Sequence, residues 1–533
     1  MTTIRDRASR WVKAPMVPDA LGYTWVAGRR LLRRVNITHR GTRRPRPADI
    51  HVPEGFEVEV VATGFSAPVH CSFGPDGACY VTEAGYHIDS PPRIWRLDVE
   101  SGRRQKVFEV SSGDWLRTGA LTGCAWHDGW LYYSYNDHVG RMREDGRVAK
   151  VVTGLPGLGD HQLSPPLFGP DGKLYFTTGS ATNCGVVGAD NIAYEWLRDP
   201  ALAEHHDIPG QDVTLTGRNY ESQDVRDGLA ETVRTGAFVP FGTETAAGQV
   251  VKGSLKCTAG VLRCEPDGTE LELVAWGLRN SFGIRFSPDG RLFVTEHGID
   301  ERGARFNVGD HDDFYEVVPG AWYGYPDYAS GIRLDDPQWG DGGRGREPVI
   351  ADPPDPDPPL PFTTFAPHAA ANGFDFCRDD AFGFPGDAFV ALFGDAAPVT
   401  TRRITPAGFK VARVDMARRE VVDFAVNRIA GGASVLPHEG FERPVHCEFG
   451  PDGHLYVVDW GEMVPAPERG GVEIRVGTGM VWRIRRTAEP PGETPPEPLV
   501  LPVNLLRPLL PLLGAVGGFG GLAVLRKLAR RRR

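Results

Sequence analysis

The chain of 533 residues carries 59 Lys and Arg against 69 Asp and Glu, a formal charge of −10, with 41% apolar and 24% charged residues. That is the balance of a soluble globular protein, and eight cysteines without a CxxC pair or a CxxCH run exclude a zinc ribbon, covalently attached haem and a dense disulfide framework. The charge is split between basic ends and an acidic body, which excludes a nucleic-acid groove across that body.

Residues 1–50 form a basic extension with twelve Lys/Arg and three Asp/Glu. Asp19 and the pairs Arg29-Arg30 and Arg33-Arg34 cut its uncharged stretches, so no apolar core of a secretory signal is recognised. From there to residue 487 one unit recurs: a short strand, a tight turn and a second strand of alternating apolar residues. PVHCSFGPDGACYVTEAG (68–85) returns as LSPPLFGPDGKLYFTTGS (163–180), SFGIRFSPDGRLFVTEHG (281–298) and PVHCEFGPDGHLYVVDWG (444–461). LTGCAWHDGWLYYSYNDH (121–138) and NGFDFCRDDAFGFPGDAFVALFGD (372–395) are weaker copies. Pro presets φ for the turn, and Asp-Gly supplies its polar and positive-φ positions.

Six copies of one unit predict an all-β chain folded as a six-bladed β-propeller of four-stranded antiparallel blades over residues 51–487. Long insertions at 181–256 and 327–365 account for the uneven spacing. EGFEVEVVATG (54–64) and GTGMVWRIRR (477–486) are expected in one blade, closing the ring. Cys257 and Cys264 flank a short segment, and their sequence leaves a bridge and two free thiols equally open.

A Pro-rich linker occupies 488–507, and a hydrophobic and basic tail occupies 508–533. PLLPLLGAVGGFGGLAVL (508–525) has no charge over eighteen residues and runs into RKLARRRR. Eighteen residues is the lower limit for a spanning helix, so the tail reads as a membrane anchor or an interfacial segment. The positive-inside rule would leave the basic cluster cytoplasmic and the propeller outside; without a recognised signal, sidedness stays open.

The residues just before each inner strand share one rim of a propeller. His161 stands nine residues before Pro170, Arg279 nine before Pro288 and Arg443 eight before Pro451, with Asn280 beside Arg279. A rim with several cations and one imidazole has the chemistry of an anion pocket with a base in it. After the fourth copy, a glycine-rich loop carries Asp300, Asp310, Asp312 and Asp313, oxygen donors of the kind a hard cation takes.

The runs GDHQLSPPLFGPDGKLYFTTGS, WGLRNSFGIRFSPDGRLFVTEHG and DDFYEVVPGAWYGYP together resemble the soluble glucose/sorbosone dehydrogenase family, which uses pyrroloquinoline quinone, over about residues 54–487. The resemblance implies a quinone over the channel mouth, held by Ca2+ and basic side chains. It implies His161 as general base, Arg279, Asn280 and Arg443 as quinone contacts, and the carbonyls of Gly298 and Ile299 with Asp312 or Asp313 at the calcium. Ile299 stands where the family has Pro, and about ten residues are inserted before the acidic pair. For the family's lysine of the fifth blade, Arg402, Arg403 and Lys410 are the candidates. The activity implied is oxidation of an aldose or sugar aldehyde, with electrons leaving to an external acceptor. Two readings from other classes remain: a calcium-dependent lactonase-like hydrolase and a non-catalytic, membrane-tethered propeller.

Overall fold

A computed structural model describes residues 43–502, except 87, 89, 112–118, 194–195, 225, 227–230, 341–342, 344, 398, 435, 437, 467–470 and 489–491. The tail 508–533 and most of the basic extension lie outside the described residues. Among the described residues, no helix is long and apolar enough to cross a membrane.

Each repeat folds as expected, with the turn chemistry doing the local work. Gly77, Gly172, Gly290 and Gly453 adopt positive φ at their turns. Asp171 and Asp452 cap the turn amides of Lys173 and His454 and accept from the hydroxyls of Tyr175 and Tyr456 four residues on. The first blade comprises Pro68–Phe73, Cys79–Glu83, Arg93–Leu97 and Arg104–Glu109, and the second Leu121–His127, Trp130–Tyr135, His138–Met142 and Val148–Val152. The third is Leu167–Phe168, Leu174–Thr178, Gly260–Cys264 and Glu272–Trp276; the fourth is Ile284–Phe286, Leu292–Glu296, Asp312–Glu316 and Thr363–Phe365.

The fifth blade, Ala371–Phe376, Ala388–Leu392, Lys410–Asp415 and Glu420–Asn427, gains a fifth strand from Ile50–His51. The sixth joins Pro444–Phe449, Leu455–Asp459 and Gly479–Arg486 to Phe56–Phe65 from the start of the chain, which closes the ring. Arg43 is buried in an ion pair with Asp459 at 3.0 Å, and Leu499 pairs with Ile429. The last described residues of both flanking segments are thus packed onto the propeller.

Alternation along each strand fills the gaps between blades. In Leu455–Asp459, Tyr456 and Val458 pack toward the first blade with Phe65, Val69 and Val81. Leu455 and Val457 pack toward the fifth with Phe389, Val411 and Phe424. Every other gap holds such a cluster, the most aromatic between the fourth and fifth blades, where Phe293, Phe314, Phe374 and Phe376 meet. All eight cysteines, Cys257 and Cys264 included, are buried free thiols.

Two insertions cover one side of the ring. Residues between Thr178 and Gly260 form two antiparallel strand pairs, one nested in sequence within the other, and a short helix, Ala189–Ala193, and those between Glu316 and Thr363 lie against them. A core of Leu215, Phe238, Trp276, Trp322 and Val349 joins the two. Buried Arg305 donates to the carbonyls of Cys184, Pro326 and Gly345 and pairs with Asp327 at 2.6 Å.

In the first, second and sixth blades the inner strand carries a bulge after its first residue, so that Val69, Thr122 and Val445 are the extra residues. All three line the cavity at the channel mouth. Bulges re-aim side chains in this way beside functional sites. Closure rests on the Gly479–Arg486 strand, whose Trp482 is fully buried against Phe441. Trp482→Ala is expected to cost about 3–5 kcal/mol in a urea unfolding curve, the usual loss for a buried aromatic.

Candidate active site

The mouth of the channel holds a cavity of about 240 Å³. One wall is apolar and includes Tyr86, Phe282, Phe393, Trp460 and Met463; the other carries His161, Arg279, Asn280, His297, Asp300, Arg302, Asp312 and His368.

His161 lies in the segment that enters the third blade. Its Nδ1 is 3.0 Å from the carbonyl of Ser180 and 2.9 Å from Ser180 Oγ. Ser180 Oγ itself donates to the Thr182 carbonyl, so it accepts from the imidazole, and Nδ1 carries the proton. Nε2 is therefore the basic nitrogen. The ring fits against the backbone because residue 179 is glycine: a Cβ there would stand 2.4 Å from His161 Cβ. Burial, and then the charges of Arg279 and Arg302, hold the His161 pKa well below the ordinary histidine value, so the ring is neutral at neutral pH.

The cations come as a network. Arg279 Nε donates to the Asn183 carbonyl, Nη1 to the Gly298 carbonyl at 2.8 Å, and Nη2 to Asn183 Oδ1 and Asp300 Oδ2. Arg302 reaches Asp300 at 3.0 Å, Asp190 at 2.6 Å and Asp160 at 2.8 Å. His368 stands 3.8 Å from Asp300 and 3.4 Å from Glu301. Burial opposes ionising Asp300, but Arg279, His368 and Arg302 outweigh it and hold its pKa far below the carboxylate range. Burial likewise opposes charging His368, and Asp300 and Glu301 overcome it, raising the pKa to about 10. Asn280 donates its amide N–H to His297 Nδ1 at 2.9 Å. The other face of the His297 ring lies against the backbone of Ala371, while Trp460 Nε1 is buried without a hydrogen-bond partner among the described residues.

His161, Arg279, Asn280, Gly298 and Asp312 therefore share one cavity, whereas four expected residues do not line it. Arg443 is buried beneath it: its guanidinium donates to the carbonyls of Gly394 and Asp395, which do line the cavity, and stacks on Phe393 and Phe409. Lys410 is ion-paired with Asp423 on the neighbouring strand, and neither it nor the other candidates, Arg402 and Arg403, lines the cavity. Asp313 faces the insertion, accepting from Ser330 Oγ at 3.1 Å, and burial beside Asp310 pushes its pKa well up.

Ile299 donates its N–H to Asp310 and buries its side chain with Cys184 and Leu334. At Gly298 the carbonyl expected at calcium accepts from a guanidinium instead, because Arg279 is drawn across it toward Asp300. Asp312 accepts from the amides of Gly298 and Ala371.

Sequence reasoning missed Arg302, Asp300's role as the hub, His297 and His368. His368 lies just before the inner strand of the fifth blade, as His161 does before that of the third. Counting back from the Pro of PDG could not find it, because the fifth blade's turn, CRDD, has no such Pro.

Residues 263–459 match the family model Glucose / Sorbosone dehydrogenase. Quinoprotein glucose dehydrogenase B of Acinetobacter calcoaceticus is 24% identical over 308 residues, 52% of this chain and 53% of that protein. The chain thus spans about half the length of the curated relative it matches. Among solved structures, the holo form of the pyranose dehydrogenase PQQ domain from Coprinopsis cinerea aligns with a TM-score of 0.51 at 16% identity, over 84% of this chain and 98% of that one. The calcium structure of a family AA12 enzyme from Trichoderma reesei aligns with a TM-score of 0.50 at 15% identity, over 85% and 99%. The class is thus a six-bladed propeller with its polar cavity at the channel mouth. The particular resemblance is to the glucose/sorbosone dehydrogenases, carried in sequence by the third to sixth blades.

The His368 assignment has a definite sign. Its folded pKa is raised, so its contribution to stability is full below the ordinary histidine value near 6.5 and is lost as pH rises through about 10. His368→Asn is expected to lower stability at pH 6, with the deficit shrinking between about pH 6.5 and 10. Denaturant midpoints across that range check it.

Proposed function

We propose that this protein oxidises a carbinol or aldehyde carbon of a sugar, with pyrroloquinoline quinone as the hydride acceptor and an external carrier taking the electrons. The observation that carries the reading is His161: a neutral imidazole with Nδ1–H fixed on Ser180, so that Nε2 is the base at the wall of a cavity beside two arginines. The match to the Glucose / Sorbosone dehydrogenase model and the quinoprotein relative from Acinetobacter support it.

The residues present suit a flat, anionic quinone. Phe282, Phe393 and Trp460 offer apolar faces, the guanidiniums of Arg279 and Arg302 and the His368 ring stand at the wall, each with a carboxylate partner, and Trp460 Nε1 is a buried polar group without a hydrogen-bond partner among the described residues. When bound, the quinone supplies an electrophilic carbon that accepts hydride. Nε2 of His161 takes the hydroxyl proton from the substrate, and Ser180 keeps the tautomer that makes this possible. Arg279 and Arg302 orient anionic groups in the cavity, while the apolar wall excludes water.

The donor set does not suit calcium in the same way. The Gly298 carbonyl is engaged by the Arg279 guanidinium, and Asp313 points elsewhere. The calcium in the Trichoderma neighbour's description is therefore not carried over to this chain. A hydrolase reading needs several carboxylates grouped around a metal in the cavity, but Asp160 and Asp300 both pair with Arg302, and Asp312 accepts from the amides of Gly298 and Ala371.

Titrating the purified full chain with pyrroloquinoline quinone should perturb the quinone absorbance at one equivalent, and dye-linked sugar oxidation should follow. No spectral change and no oxidation, with or without added calcium, would overturn the proposal. His161→Asn should keep the melting temperature and quinone affinity while lowering kcat by roughly 10²–10⁴-fold, the worth of a positioned general base. Unchanged kcat would remove His161 from the mechanism.

The tail 508–525 is proposed as a membrane-binding segment, on its lack of charge beside RKLARRRR. Full-length protein should fractionate with membranes, and a chain ending at Pro502 should not; equal solubility would discard the anchor.

A further inference from the structure

Beyond the mouth, the inner strands carry a second cluster that the proposed oxidation does not use. The repeated run PVHC places His70 on the first blade and His446 on the sixth at the same position, one residue past the bulge residues Val69 and Val445. The two blades are neighbours across the seam where the ring closes. The imidazole centroids are 4.1 Å apart, and both histidines are 1% exposed. Two residues further along the sixth-blade strand, Glu448 Oε2 stands 3.3 Å from His446 Nε2.

Space for both rings is made by glycines on the adjacent blades. A Cβ at Gly373 would lie 2.0 Å from His446 Nδ1, and one at Gly123 would lie 2.9 Å from His70 Cγ. Glycine at these positions accommodates the rings in a packed channel.

An ordinary hydrogen bond from His446 to Glu448 accounts for part of this arrangement but not for His70. Its Nδ1 is 3.5 Å from the Cys124 amide, and its Nε2 is buried with no hydrogen-bond partner among the described residues. An unsatisfied buried ring nitrogen is costly unless something binds it. His70, His446 and Glu448 each offer one ligand atom, and those atoms lie within 4.8 Å of one another. Two ligands of a tetrahedral ion, each about 2.0–2.1 Å from it, stand roughly 3.3 Å apart, the separation already present between His446 Nε2 and Glu448 Oε2, so it is the His70 ring that must draw in.

We propose that His70, His446 and Glu448 form a site for a divalent transition-metal ion of the zinc or cobalt type, which ties the first blade to the sixth inside the channel. Two imidazoles and one carboxylate favour such an ion over calcium or magnesium, which take oxygen donors. Arg285 lies 2.6 Å from Glu448 and 3.9 Å from Asp375, and Asp375 also meets Arg378 at 3.1 Å. Asp375 is therefore placed to keep the guanidinium when Glu448 turns to an ion. The site is separate from the quinone reading and stands or falls without it.

The test is Co2+ titration of metal-stripped full-length protein under reducing conditions, without quinone. One equivalent should give visible ligand-field bands, Zn2+ should bleach them, and a hundredfold excess of Ca2+ should leave them. Zn2+ should also raise the melting temperature, because it binds the folded state. In His70→Asn and in Glu448→Gln, each checked for native circular dichroism, Co2+ affinity should fall at least tenfold. Absence of bands in the unaltered protein would overturn the proposal. So would bands retained in a folded His70→Asn, or thiolate-to-cobalt charge transfer, which would assign the ion to buried cysteines instead.

Discussion

Everything in this molecule depends on the pairing of Phe56–Phe65 with Gly479–Arg486. A propeller blade is apolar on both faces, so each must be covered by a neighbour, and only a closed ring covers all of them. The strand that closes the ring comes from the start of the propeller, and the three it joins come from the end. Residues more than 400 positions apart thus share one ladder, as Val58 and Ile484 do. Apolar burial stabilises by roughly 25 cal/mol per Å², and the two clusters that flank the sixth blade, which need residues from both ends of the propeller, offset the entropy of joining distant segments.

Closure also fixes the mouth. Side chains from the third, fourth and fifth blades converge there because the segments entering their inner strands face one rim. Arg279, Arg302 and His368 would repel one another in a small buried cavity. Asp300 sits among them and, with Asp160, Asp190 and Glu301, neutralises the group. Such a network gives little net stability, since burying charge is costly, but it fixes where each charge lies. His161 is held neutral beside it by burial and by the nearby Arg279 and Arg302 guanidiniums. Positioned charge beside a neutral base is the arrangement on which the proposed oxidation relies.

The fold was legible because it is written in local chemistry repeated along the chain. Asp-Gly turns and alternating apolar residues require no distant partner to be read. The rim position of His161 and Arg279 was legible for the same reason, as an offset from a turn. Arg443 satisfied the offset yet lies under the cavity, because its neighbours Phe393 and Phe409 and the carbonyls of Gly394 and Asp395 take its guanidinium. Lys410 begins a strand whose neighbour carries Asp423 opposite Ala412, and it pairs with that carboxylate diagonally across the ladder.

By itself the sequence determined the number of blades, the strand–turn–strand pair that opens each, the segments that close the ring and the rim from which His161 and Arg279 project, but not the fifth strand that Ile50–His51 adds to the fifth blade. Those follow from period and turn type, which are properties of short stretches. Only the tertiary structure decided that Asp300 is the hub of the mouth and that Arg279 takes the Gly298 carbonyl. It also decided that His297 turns into the cavity beside Asn280, that His368 joins from the fifth blade and that His70 meets His446 across the seam. These depend on which charges and rings come within a few ångströms after six separate sheets pack, and no local pattern encodes the distance between residues brought together by closure.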